Sequence, residues 1–61
     1  MTKIDELALS IVLVDDGLTE GALARRMSKE SDRPLNILDY LKMKDNMEDK
    51  FLYKEGRVYL K

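Results

Sequence analysis

The 61-residue chain has no cysteine, no histidine and no tryptophan, a single proline and a single phenylalanine. Without cysteine there is no disulfide framework, and without cysteine or histidine the usual nitrogen and sulfur ligands of a structural zinc are missing. The core must therefore be made by hydrophobic burial alone, in a chain not far above the roughly 40 residues below which domains usually need staples. No long hydrophobic run exists: the longest, Ile11 to Val14, falls far short of the roughly 20 residues of a membrane span. The acidic N-terminal region lacks the basic stretch of a signal peptide, so a cytoplasmic address is the expectation.

What is present is a balanced mixture. Hydrophobic residues make up 44% and charged residues 38%, with a net charge of -1, a composition suited to one small globular domain over residues 1–61. The charge is unevenly distributed. Residues 1–20 carry a net of -4, residues 21–44 a net of +3, and the remainder balances. An acidic first segment thus leads into a basic middle.

Thr2 and Asp5 have the spacing of a capping box for a first helix over about Lys3–Val14. Ile4, Leu7, Ala8 and Ile11 follow the spacing of a buried stripe, which Val14 extends. Leu9 and Leu13 project to the opposite side with Val12 on the flank, so this helix is apolar on two faces. The second face is either covered by the C-terminal segment or forms a dimer or partner interface through Leu9, Val12 and Leu13. Asp15, Asp16 and Gly17 end the helix. Thr19 caps a second helix running to about Ser28, with Leu18 and Leu23 placed as a hydrophobic staple. Ala22, Leu23 and Met27 form its buried side. Gly21, costly within a helix, suggests close approach by a neighbouring backbone.

Ser31 or Asp32 is the expected N-cap of a third helix with Pro34 in its first turn. On this phase Pro34, Leu35, Leu38 and Leu41 pack inward, while Arg33, Asn36, Ile37, Tyr40 and Lys44 are displayed. Asp45 and Asn46 end the helix. Met27, Met43 and Met47 read as core filling, Met43 also as an adaptable contact near the edge of the displayed face. Phe51–Tyr53 and Val58–Leu60 then form two β-prone runs around Lys54, Glu55, Gly56 and Arg57, a hairpin whose turn uses the conformational freedom of Gly56.

The stretch from Leu18 to Met27, the spacing of Pro34, Leu38 and Leu41, Met47 just after the third helix, and the hairpin at Glu55-Gly56 together resemble a minimal winged helix-turn-helix. The resemblance spans Leu7 to Leu60 and implies an α+β fold of three helices with a C-terminal two-stranded hairpin wing. It also implies a small DNA-binding transcriptional regulator, with the third helix in the major groove of double-stranded DNA and the wing on the adjacent backbone. Arg33 and Asn36 would then read base edges, Ile37 would touch a thymine methyl or else anchor a protein partner, and Tyr40 and Lys44 would meet the backbone. Lys54 and Arg57 would be wing contacts, and Arg25, Arg26 or Lys29 would position the backbone. The alternative is a protein-interaction module of the same fold, an adaptor or inhibitor of transcription or replication machinery. The acidic pI and the second apolar stripe favour that alternative. No cofactor or metal is expected, since Asp15, Asp16 and Glu20 lack the spacing of a calcium loop. Nor is catalysis expected of so small a chain without histidine or cysteine.

Overall fold

The computed structural model describes residues 2–61. The elements run α1 (Lys3–Val14), β1 (Leu18–Thr19), α2 (Glu20–Glu30), α3 (Ile37–Asn46), β2 (Phe51–Lys54) and β3 (Arg57–Leu60). The result is a small α+β domain in which three helices pack with a three-stranded antiparallel sheet of order β1-β3-β2.

The cap of α1 is the expected one. Thr2 Oγ1 accepts from the Asp5 amide at 3.1 Å, and Asp5 Oδ2 accepts from the Thr2 amide at 3.3 Å. Asp5 is buried, and its Oδ2 also accepts from Asn46 Nδ2 at 3.3 Å, tying the start of α1 to the end of α3. Ala8 and Ile11 are buried as expected, whereas Val14 is exposed. Val12 corrects the expected interface: it is completely buried, and half-buried Leu9 packs against the same core. Only Leu13 of the proposed second stripe is exposed. The buried arc of α1 is centred nearer Ala8 and Val12 than the simple stripe suggests, because α2, α3 and β3 all contact this helix.

Gly17 leads the chain out of α1 with φ 93°. A side chain here would also meet the Tyr59 ring, which lies 3.1 Å from the position of a Cβ. The next two residues form β1, an element absent from the sequence reading because two residues carry no periodicity. Leu18 pairs with Val58 and Thr19 with Arg57. Thr19 Oγ1 accepts from the Ala22 amide at 3.1 Å, capping α2, and both staple residues, Leu18 and Leu23, are buried. Gly21 has no atom near its missing side chain, so no neighbouring backbone explains this glycine.

The third helix begins later than expected. Residues 31–36 connect α2 to α3 in a non-helical turn, since Ser31 is extended and Pro34 disfavours helical geometry at Arg33. Asn36 is the N-cap, its Oδ1 accepting from the Asp39 amide at 3.0 Å while Asp39 Oδ2 accepts from the Asn36 amide at 3.1 Å. This second capping box starts the helix; Ile37 is displayed and Leu35 packs on the core as expected, while other positions depart from their expected faces. Met43 and then Met47 point into the core with Met27, filling space between helices and sheet. Met43 is therefore not an edge contact. Pro34, Leu38 and Leu41, expected inside, are exposed.

β2 and β3 pair from Phe51↔Leu60 to Lys54↔Arg57, closing on the two-residue turn Glu55-Gly56. Both turn residues have positive φ, 53° and 74°, as in the hairpin turns whose twist matches that of the strands. Phe51 and Val58 face the core. No helix among the described residues is long and apolar enough to cross a membrane.

Candidate interaction surface

The packing of Met43 and Met47 decides which side of α3 the molecule displays. With Met43 turned inward, the outward side of α3 presents Ile37, Leu38 and Leu41, exposed by 68%, 67% and 50%. Lys42 and Asp45 share this side, and a shallow depression runs along it between Leu38, Leu41, Lys42 and Asp45. Ile37 also borders a groove against α2 that includes Ala24, Arg25, Ser28 and Leu35. Three large aliphatic side chains are thus exposed within two helical turns.

Most of the polar side chains expected to read DNA are occupied within the fold. Arg33 lies in the turn before α3, where Nη1 and Nη2 donate to the two carboxylate oxygens of Asp39 at 3.1 and 3.2 Å. The hydrogen bonds and charge of this pair raise the Arg33 pKa. They also hold the Asp39 carboxyl below its ordinary value, with help from the Asn36 amide. The Asn36 carboxamide oxygen is the helix cap. Arg26 pairs with Glu30 at 3.6 Å and Asp15 at 3.7 Å. Arg57 Nη1 donates to the Gly17 carbonyl at 2.9 Å, fastening the hairpin to the turn after α1.

Tyr40 and Lys44, expected on the displayed side, instead reach toward α2. Tyr40 Oη donates to Glu20 Oε1 at 2.8 Å, and Lys44 Nζ donates to the same oxygen at 2.9 Å. Lys44 Nζ also sits 4.5 Å from the centroid of the Tyr53 ring, a cation–π contact. Partial burial works against the Glu20 carboxylate, yet the bonds from Lys44 and Tyr40 and the Lys44 charge outweigh it, so its pKa lies below the ordinary value. Burial and the neighbouring Glu20 charge push the Tyr40 hydroxyl well above the usual tyrosine range and Tyr53 up to about 12. This corner locks α2, α3 and β2 together. Glu20 thereby explains why part of the basic middle segment is turned inward.

The other acidic residues near the end of α1 have similar structural roles. Asp15 meets Arg26, and Asp16 Oδ1 accepts from the Leu60 amide at 2.9 Å. Among the described residues, no group of three or more acidic side chains is placed to hold a metal ion. Arg25, Lys29, Lys42 and Lys54 are exposed and make no ion pair among the described residues.

On α3, Leu38 and Leu41 are surface residues whose spacing placed them in the core. The signal that identifies them is Asn36 followed by Asp39, the same acidic capping pattern as Thr2 and Asp5. No protein family, curated protein or solved structure matches this chain.

Proposed function

We propose that this chain is a protein-interaction module of winged helix-turn-helix type, with the outward side of α3 as its working surface. The order of α2, α3 and the terminal hairpin supports the architecture. The observation that carries the functional reading is the exposure of Ile37, Leu38 and Leu41 on the helix that would otherwise enter a groove. Base edges are read through directed donors and acceptors, and this side offers only Lys42 and Asp45 around an apolar centre. A protein surface is the better match, because aliphatic side chains gain most from apolar burial.

The DNA-binding reading retains support from Arg25, Lys29, Lys42 and Lys54, which are exposed and unpaired among the described residues. A photo-crosslinking residue at Leu38, with another at Val14 as control, separates the two in living cells. The expected result is protein adducts from position 38 and none from position 14. Adducts with DNA from position 38, without protein adducts, would overturn the protein-binding reading.

A further inference from the structure

We propose that the free edge of β2 adds an extended strand of another protein, one that presents acid, apolar and acid side chains in alternation beside Leu52. The site is independent of the outward side of α3. Hydrogen bonds of the sheet define it. The Lys61 amide donates to the Lys50 carbonyl at 3.0 Å, which continues the β2–β3 ladder by one hydrogen-bonded pair. By the alternation of an antiparallel ladder, Leu52–Tyr59 and Lys54–Arg57 are then hydrogen-bonded pairs, and Phe51–Leu60 and Tyr53–Val58 are not. The β1 side agrees: the Val58 carbonyl accepts from the Gly17 amide at 2.8 Å, and the Leu60 amide donates to Asp16 Oδ1 at 2.9 Å. Phe51 and Tyr53 therefore aim their backbone groups away from β3. The Met47 carbonyl takes the Phe51 amide at 3.1 Å. Left at the edge are the Tyr53 amide and the carbonyls of Phe51 and Tyr53, one donor and two acceptors in strand spacing, which an extended polypeptide matches.

Charge selects among extended chains. Side chains alternate along a strand, so Lys50, Leu52 and Lys54 share the outer face of the hairpin with Arg57, Tyr59 and Lys61. None of these cations makes an ion pair among the described residues, and the nearest acids in sequence, Asp49 and Glu55, stand outside the ladder. Edge protection accounts for lysines on β2 but not for Arg57 and Lys61 on the central strand. There they lie opposite Lys54 and Lys50, and like charges directly opposite weaken a hairpin. An acidic neighbour relieves both pairs, whereas a second copy of β2 brings more lysine. A phosphate backbone would meet the same cations but offers only acceptors to the Phe51 and Tyr53 carbonyls.

The register gives the pattern. In a strand antiparallel to β2, the residue opposite Tyr53 exchanges two hydrogen bonds with it, and the residue two positions later donates to the Phe51 carbonyl. The residue before the first of these lies beside Lys54, the one between them on half-exposed Leu52, and the one after the second beside Lys50. The preferred sequence is thus acid, any residue, apolar, any residue, acid. A terminally blocked peptide, Thr-Glu-Val-Ile-Val-Glu-Thr, has this pattern, with both valine amides facing β2.

Titration of the labelled protein with this peptide, read by amide NMR and hydrogen exchange, is the test. Binding is expected with a Kd of about 0.1 to 1 mM, with shifts centred on Phe51 to Lys54 and slowed exchange of the Tyr53 amide. Methylating both valine nitrogens, which keeps the charge, should abolish it. Lys50→Glu and Lys54→Glu together should weaken binding at least about tenfold without lowering the thermal midpoint, because two like-charge pairs become opposite-charge ones. Leu38→Glu should leave it unchanged, so failure of the α3 reading would not carry this one with it. No shift at about 5 mM peptide, equal binding of the methylated peptide, or indifference to the double substitution overturns the proposal. So does a DNA duplex that shifts Lys50 to Arg57 where the peptide does not.

Discussion

Glu20 shows how one side chain redirects a surface. Its carboxylate collects the Tyr40 hydroxyl and the Lys44 ammonium, removing from the exterior two groups that sequence spacing placed there. Because its folded pKa is lowered, the stability it adds is present above the ordinary glutamate range and is lost as pH falls through the folded value. The urea midpoint should therefore fall between about pH 6 and about pH 3, and fall less in Glu20→Gln. Asp39, whose pKa is lowered by Arg33 and Asn36, contributes in the same direction, so part of the slope should survive the substitution. At the alkaline end the sign reverses. Tyr40 and Tyr53 have raised values, so their contribution is intact below the ordinary tyrosine range and disappears as both ionise. Gly21 gives a simpler residue-level test. It lies exposed in the first turn of α2 with nothing near its missing side chain, so Gly21→Ala should stabilise the fold by about 0.5–1 kcal/mol in urea unfolding.

At the scale of elements, the outcome depended on how strongly each local signal was encoded. The first helix, its Thr2–Asp5 cap, the Thr19 cap and the hairpin were legible, because capping residues and turn glycines act locally through one or two hydrogen bonds. The start and phase of α3 were not, since Ser31, Asp32 and Asn36 are all good caps and the choice depends on Pro34 and on the reciprocal bond from Asp39. With the helix capped at Asn36, Met43 and Met47 take the core side, Tyr40 packs against it, and Leu38 and Leu41 are left outside. The strand β1 was invisible because its two residues are defined by pairing with β3 alone. Of the two readings of the second face of α1, interface or cover by the C-terminal segment, cover holds at Val12, because α2, α3 and β3 all contact that helix and widen its buried arc. The hairpin supplies the test at this scale. Glu55 occupies a positive φ that costs an ordinary side chain about 1 kcal/mol, and asparagine tolerates it better. Glu55→Asn should raise the thermal midpoint by roughly 4–8 °C, measured by circular dichroism.

The whole molecule uses its inward-facing polar groups to assemble and leaves an apolar helix face outside. Three buried methionines, Phe51 and Leu23 supply much of the core volume, while Glu20, Asp16 and Asp5 fasten separate elements across its edges. Few donors therefore remain on the outward side of α3. If, as proposed, this side meets protein and not the DNA bases, a titration with DNA followed by amide NMR leaves it undisturbed. Labelled protein is mixed with a mixed-sequence DNA duplex at low salt, and the spectra are repeated at higher salt. The expected result is that amides from Ile37 to Asp45 stay in place, with any salt-sensitive shifts confined to the neighbourhood of Arg25, Lys29 and Lys54. Large shifts centred on Leu38 and Leu41 that fade with salt would place α3 against DNA and contradict the account.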